Sequence, residues 1–419
     1  MQEVVIASAV RTPIGSYLSA LRDVPAYDLT ALVLNEAVNR AKVAPATVDE
    51  VIMGQCYQSG EYVNIARMGL LTAGWPVEVP GITLDRRCTS GVDAVCFGAM
   101  EIMTETSEIV VAGGVESMST AEFYIPGSVK WGIGRQGGIK ADDSPRGHGS
   151  LGLFGITIYD RIQRSRPMHQ PIDRFGVIKS NMAWAENSGK EHNLSREEAD
   201  KWALRSHQRA CAAQDAGKFK EQIVPVTIPQ RKGEPKVVDA DEGPRGDTSM
   251  EALSKLKPVL GGICTAGNSA TENDAAAAFV LTTPEKAKEL GVEPLVFVKS
   301  FAFGASDPLT TWKASPVAVN KALKKVGLTI SDIDLWEVQE AFAIQVLSDI
   351  IELEVPREDW DKKINVNGSG IALGHPLGAT LALRLVNLVY ELRRRNARYG
   401  LVTTPGAGGI GIALIVERR

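Results

Sequence analysis

The chain has 419 residues, 44% hydrophobic and 23% charged, enough to bury a large core in two or three domains. A formal net charge of −4 gives no overall electrostatic reason to expect a nucleic acid or an anionic membrane as partner. No run of about 18 uncharged apolar residues is present to span a bilayer. The five cysteines, Cys56, Cys88, Cys96, Cys211 and Cys264, form no CxxC pair, which argues against a disulfide framework or a zinc knuckle.

The first predicted element is a strand from about Glu3, "VVIASAV". Nothing before it reads as a secretory or mitochondrial leader, so a cytoplasmic address is expected. A helix "LTALVLNEAVNRA" and the stretch "ATVDEVIMGQC" follow, then "ITLDRRCTSGVDAVCFGAMEIM" and strand "EIVVAGG". The same succession returns later as "PLVFVKSFAFG", helix "PVAVNKALKKVG", "SDIDLWEVQEAF", "INVNGSGIALGHPLGATLALRLVNLVYEL" and strand "YGLVTTPG". In this second copy the last strand turns at once into an antiparallel partner, "GIGIALIVE". In the first, the matching strand "NDAAAAFVLTT" arrives only after a long excursion.

Alternating strands and helices imply an α/β protein with a largely parallel sheet, here as two stacked halves related by an approximate dyad. The expected domains are residues 1–118 plus 256–284, an inserted lid domain 119–255, and residues 285–419. The insertion has Gly-, Pro- and charge-rich loops around the helix "SREEADKWALRSHQRACAAQDAG", opened by a capping box, Ser195 with Glu198. His192 and His207 read as surface positions of that region.

Cys88 ends a strand-to-loop segment just ahead of a helix, so its sulfur is expected near free backbone N–H groups and the positive helix end, both of which favour thiolate. At the equivalent place of the second copy stands His375, between Gly374 and Pro376 in a glycine-rich loop. Packing about the dyad brings the two together as an activated nucleophile and its base. The "GAGGIG" at 406–411 leaves no room for a dinucleotide-binding helix and reads as a hairpin turn, and "GIGRQG" at 132–137 has neither strand nor helix around it. The basic "ELRRRNAR" complements a helix C-terminus.

"CTSG", "TAGNSATEND", "QEAF", "NVNGSGIALGHPLGAT" and "GAGGIGIALIVE", in this order along essentially the whole chain, resemble the thiolase family. "VRTPIG", "AGGVESMS" and "DEGPRGDTSMEALSKLKP" extend the likeness. The resemblance implies a dimer or tetramer of five-layered αβαβα subunits built from two duplicated halves. It also implies that Cys88 takes an acyl group from an acyl-CoA while His375 activates it. Coenzyme A is then a cosubstrate, with no metal and no tightly bound cofactor. By the same resemblance, the amides of Cys88 and Ala407 are oxyanion donors, and Gln339 supplies a side-chain amide. Arg245 contacts a CoA phosphate, Ala266 and Ala270 line the pantetheine arm, and Phe342 walls the thioester pocket.

The departures from the family pattern are specific. Where the family has a second cysteine in "CxGGGxG", this chain has Pro405, and no cysteine lies beyond Cys264. "NEAF" or "HEAF" becomes "QEAF", Ala270 replaces a common serine, and "SNMAWAEN" stands in place of a His-Met-Gly motif. Acylation is expected to be intact, whereas carbon–carbon chemistry lacks its usual acid/base. Glu340, Thr404, His148, His169 or a group on the substrate are the alternatives. The leading expectation is a thiolase-family acyltransferase that makes or cleaves a 3-oxoacyl-CoA. The others are transfer to a different nucleophile, decarboxylative condensation, or a non-catalytic CoA-binding subunit that needs a partner chain.

Overall fold

The structure, a computed structural model, describes residues 2–126, 150–153, 156–178 and 180–419. The first half contains strands β1 (Val5–Arg11), β2 (Gly15–Ser16), β3 (Glu50–Gly54), β4 (Gly81–Leu84) and β5 (Ile109–Ser117). Its helices are α1 (Ala26–Arg40), α2 (Ile65–Thr72) and α3 (Ser90–Met103). Strands β6 (Phe123–Tyr124), β7 (Ser150–Leu153), β8 (Ile156–Asp160), β9 (Val226–Ile228) and β10 (Lys236–Val238) follow. Among them run α4 (Arg161–Ser165), α5 (Ile172–Phe175), α6 (Asn181–Glu191) and α7 (Arg196–Asp215), with α8 (Met250–Ser254) after β10.

Strand β11 (Asn273–Thr282) then returns to the first half, and α9 (Pro284–Glu289) leads out of it. The second half has strands β12 (Val296–Ala305), β13 (Leu335–Val338), β14 (Tyr399–Gly406) and β15 (Ile410–Glu417). Its helices are α10 (Ala314–Val326), α11 (Ala343–Glu352), α12 (Arg357–Lys363), α13 (Gly370–Leu373) and α14 (Leu377–Arg395).

Ten strands join in one sheet ordered β13-β14-β15-β12-β1-β11-β5-β3-β4, with β2 on β11. The expectation of a largely parallel sheet is corrected. Only β13–β14, β3–β4 and β3–β5 pair in parallel, and the remaining pairs are antiparallel. In each half the last strand slots in beside the first, β11 between β1 and β5 and β15 between β12 and β14. A hairpin or a long excursion makes that return, so no crossover helix forces the strands parallel. The equivalent first strands β1 and β12 meet antiparallel over Val5↔Phe297 and Ile6↔Val296, as a dyad between the halves requires.

Helices α1 and α2 cover the outside of the first half, and α10 covers β12, β14 and β15. Between the halves lie α3, on β3 and β5, and α14, on β5, β11, β13 and β14. The order is therefore αβαβα. Every residue of α14 from Gly378 to Leu392 is buried, as a helix covered on all sides demands. The two central helices touch at small residues: a Cβ on Gly91 would lie 2.8 Å from the Gly378 carbonyl oxygen and from the Ala382 Cβ.

The stretch between β5 and β11 does not keep its apolar residues to itself. Trp184, Trp202 and Leu253 pack with Trp312 and Trp336 of the second half, whereas Val224, Val226 and Val238 join the core under α1. A buried ion pair fastens it as well. The Arg11 guanidinium of β1 grips the Asp241 carboxylate at 2.7 and 2.9 Å, and the same carboxylate accepts the Ile14 N–H at 2.8 Å. Both charged side chains are fully shielded from solvent.

Candidate active site

Each central helix is preceded by one chemically reactive residue. Cys88 lies in a 3₁₀ turn, Arg87–Thr89, two residues before α3 begins, and His375 lies two residues before α14. The dyad superposes these positions, and the side chains meet: Cys88 Sγ stands 3.2 Å from His375 Nε2.

Local hydrogen bonds explain the turn that holds the sulfur. Ser90 Oγ accepts the Arg86 N–H at 2.8 Å and donates to the Arg87 carbonyl at 2.6 Å, while Thr89 Oγ1 donates to the Arg86 carbonyl at 2.7 Å. The chain is so tightly reversed there that Arg87 adopts φ +54°, which costs a non-glycine residue energy and is tolerated where surrounding contacts enforce it. The Arg87 guanidinium lies 4.0 Å from Asp85.

The imidazole is fixed from both ends. Nδ1 shares a hydrogen bond with Thr380 Oγ1 at 2.7 Å, one turn into α14. The His375 N–H lies 2.9 Å from Asn273 Oδ1 and 3.2 Å from the Thr271 carbonyl oxygen, both acceptors. The Asn273 amide in turn donates to the Gly15 carbonyl at 3.0 Å. Gly374 has φ +99°, and a Cβ there would fall 2.4 Å from Asn273 Cγ, so the loop can carry His375 inward only with glycine at that place.

Burial dominates the protonation of this pair. It pushes the Cys88 thiol up to about 11, opposed by the Ala407 N–H, the Arg87 charge and its own backbone N–H. It holds His375 down to about 3, with the Arg384 charge adding to the effect. The resting pair is a neutral thiol beside a neutral imidazole. The expected thiolate is corrected: Cys88 is only 7% exposed, and desolvation of the anion outweighs the amides and the helix end.

Gln339 is fully buried after β13, and its orientation is determined. Arg384 Nε donates to Gln339 Oε1 at 2.9 Å and Arg384 donates through Nη2 to the Gly374 carbonyl at 2.6 Å. A guanidinium only donates, so the amide oxygen faces Arg384 and Nε2 is the free end; it has no partner among the described residues. Ala407 is buried in the turn after β14, and its N–H acts on the Cys88 thiol against the effect of burial. The structure thus gathers Cys88, His375 and Ala407, and joins Gln339 to the His375 loop through Arg384.

The other predicted residues lie on neighbouring loops. Ala270 donates its N–H to the Ala341 carbonyl at 2.9 Å, and Ala343 donates to the Asn268 carbonyl at 3.0 Å, which stitches the "TAGNSA" loop to "QEAF". Phe342 packs edge-on against Trp184 with ring centroids 5.4 Å apart. Ala266 is exposed, and so is Arg245, whose N–H donates to His207 Nδ1 at 3.2 Å. His207 itself is 6% exposed, which corrects its reading as a surface residue. His192 is half-buried, with Nε2 3.3 Å from Glu352 Oε1.

Of the groups considered as a second acid/base, Glu340 is committed elsewhere. It accepts from Trp202 Nε1 and Asn365 Nδ2 at 2.9 Å each, from Ser206 Oγ at 2.5 Å and from the Ile371 N–H at 3.2 Å. The Thr404 hydroxyl is buried and donates to the Pro405 carbonyl at 3.0 Å. His148 lies outside the described residues. Both ring nitrogens of His169 are shielded from solvent and have no partner among the described residues.

Sequence reasoning missed Thr380, Asn273 and Arg384 as positioning groups. Glu116, also missed, accepts the N–H groups of Cys56, Tyr57 and Gly378 at 3.0, 3.0 and 2.9 Å, and burial raises its carboxyl to about 7. Among the described residues, no cluster of His, Cys, Asp or Glu could hold a metal, and no helix is long and apolar enough to cross a membrane.

Fold and site together define a duplicated αβαβα protein whose two central helices present a cysteine and a histidine to one another. The family described as "Thiolase, N-terminal domain" matches residues 4–285, and "Thiolase, C-terminal domain" matches residues 292–418. The chain is 41% identical to an acetyl-CoA acetyltransferase of Cupriavidus necator over the whole of both chains. It is 40% identical to the acetyl-CoA acetyltransferase of Chromobacterium violaceum, over 99% of this chain and 100% of that one. The crystal structure of the Bacillus anthracis acetyl-CoA acetyltransferase is similar at TM-score 0.89 and 40% identity, covering 100% of this chain and 99% of that one. The chain belongs to the thiolase family.

Proposed function

We propose that the protein is an acetyl-CoA acetyltransferase that works through an acetyl–Cys88 intermediate, with coenzyme A as cosubstrate. The observation that carries this reading is the 3.2 Å approach of Cys88 Sγ to His375 Nε2. With the Nδ1 proton held toward Thr380 Oγ1, the Nε2 lone pair faces the thiol. His375 then takes the thiol proton as sulfur attacks the thioester carbonyl, and the N–H groups of Cys88 and Ala407 receive the developing oxyanion. Gln339 Nε2 is a further donor to that region. Arg245, Ala266, Ala270 and Phe342 are proposed to contact CoA along the route to the sulfur. The proposed form is a cytoplasmic homodimer or homotetramer; full-length likeness to acetyl-CoA acetyltransferases supports the substrate.

Pro405 is proposed to occupy the place of the family's second cysteine. It sits in β14 opposite Gly411, past the last pairing of β13 at Val338↔Thr403, so its missing N–H leaves no gap on that side. This change keeps a second reading in play, acyl transfer without thiolysis. The test is to incubate the protein with acetyl-CoA, locate the adduct by mass spectrometry, and follow CoA-dependent loss of acetoacetyl-CoA. An acetyl group on Cys88, absent in C88S, supports the enzyme, and thiolysis selects the first reading over the second. No adduct with any acyl-CoA refutes both and leaves a non-catalytic subunit.

A further inference from the structure

Residues 161–171 touch three loops that surround Cys88 and His375. Ser165 Oγ and the Tyr57 hydroxyl hydrogen-bond at 2.8 Å, in the loop after β3. Arg166 pairs with Glu272, the neighbour of Thr271, whose carbonyl oxygen accepts the His375 N–H. His169 lies on the hairpin turn itself: a Cβ on Gly408 would be 3.1 Å from the His169 carbonyl oxygen and 4.0 Å from its Cβ. Gly408 follows Ala407, the residue whose N–H lowers the Cys88 thiol against burial. His169 thus stands beside the turn that follows Pro405, with two shielded and unpartnered ring nitrogens. Burial and the nearby Arg87 charge hold it neutral, down to about 3, so the ring is a free base in the resting protein.

We infer that His169 is the acid/base at the substrate α-carbon, supplying the proton transfer for which Pro405 has no group. This rests on the acetyl–Cys88 reading above. Glu340 and Thr404 are occupied by their own hydrogen bonds, whereas the imidazole of His169 is not. In synthesis His169 removes a proton from the methyl carbon of a second acetyl-CoA. The electron pair of that C–H bond forms the C–C bond to the acetyl carbonyl carbon, and the C–S bond to Cys88 breaks. The sulfur departs with the pair of that bond and recovers the proton that His169 took. One acetyl–Cys88 and one acetyl-CoA give acetoacetyl-CoA and the free thiol, and thiolysis is the same step reversed.

The experiment measures two rates on H169N and H169Q: acetylation of Cys88 by acetyl-CoA, and thiolysis of acetoacetyl-CoA by CoA. The expected result is acetylation within about threefold of the parent and thiolysis lowered by about 10² to 10⁴-fold, the usual worth of a positioned acid/base. Recovery of thiolysis in the double variant H169N/P405C supports the same assignment. Thiolysis within about tenfold of the parent in both single variants overturns it. So does an equal loss of acetylation in both, which makes His169 a support of the whole site. A parent that acetylates Cys88 while H169N keeps thiolysis refutes this inference alone; a parent that never acetylates Cys88 removes the reading beneath it too.

Discussion

The hydroxyl of Thr380 is the sharpest probe of the proposed base. It is the only hydrogen-bond partner of His375 Nδ1 among the described residues, at 2.7 Å, and it is fully buried. Thr380→Val keeps the shape and deletes the partner. In the ground state the loss leaves a buried N–H unpaired; in the acylation transition state that same N–H belongs to an imidazolium. Hydrogen bonds to charged groups are worth about 1.5–3 kcal/mol against about 1 for neutral ones, so the transition state loses about 0.5–2 kcal/mol more than the ground state. A ring freed to place its proton on Nε2 is also the wrong tautomer for a base, which adds to the loss. Together these predict a fall of about 5 to 100-fold in acetylation of Cys88, at about 1.4 kcal/mol per factor of ten. The assay is the rate of CoA release in single-turnover acetylation, with Thr380→Ser as control because it retains the hydroxyl. If T380V acetylates at the parental rate, or T380S falls as far as T380V, the positioning argument is wrong.

Three other outcomes follow from the same geometry. Because the Cys88 thiol is held near 11 and His375 near 3, the anionic fraction at pH 7 is about 10⁻⁴, so iodoacetamide labelling of Cys88 should rise about tenfold per pH unit from 7 to 10. Peptide mapping separates it from the partly exposed Cys211, and a rate plateau between pH 6 and 8 would reveal a preformed thiolate–imidazolium pair instead. Gly374→Ala should lose acetylation and lower the thermal midpoint, since the new methyl meets Asn273 at 2.4 Å on a backbone with φ +99°; a crystal structure or Tm indistinguishable from the parent would contradict this. Asp241→Ala strands the Arg11 charge in the interior and should cost about 3–5 kcal/mol in urea unfolding, whereas a loss under about 1 kcal/mol would mean that water reaches the guanidinium.

Much of this arrangement was legible because strands and their repeats leave a strong apolar signature. The run "YGLVTTPG" is strand β14 to the residue, and the hairpin to β15 follows from the glycines between. Strand direction was not legible for a physical reason. Strand β11 is buried at all ten positions, and its centre, Ala275 to Leu281, reads as an unbroken apolar run whether its neighbours run parallel or antiparallel to it. The meeting of Cys88 with His375 followed from duplication alone, whereas Thr380 and Arg384 read as ordinary members of an apolar helix until their partners were placed. His207 was misread because nothing in its own helix tells that the Arg245 loop crosses it. The protonation of Cys88 was misjudged because a helix start can be recognised in sequence, while the degree of desolvation cannot.

That last point bears on how a duplicated fold makes an asymmetric site. Both reactive residues precede a central helix by two positions, so both feel the positive end of a helix dipole. For an imidazole this field opposes protonation, in the same direction as burial and Arg384; for a thiol it favours the anion, against burial. The two helix ends therefore nearly offset one another in a proton transfer from thiol to imidazole, and burial keeps the proton on sulfur at rest. In the proposed reaction the balance changes when a thioester fills the site, because the negative charge moves from sulfur to the carbonyl oxygen, where the N–H groups of Cys88 and Ala407 can receive it. A resting neutral thiol is also a poor target for oxidants and alkylating agents, which react with the anion. Charge separation is thus confined to the moment when substrate supplies the oxygen that bears it.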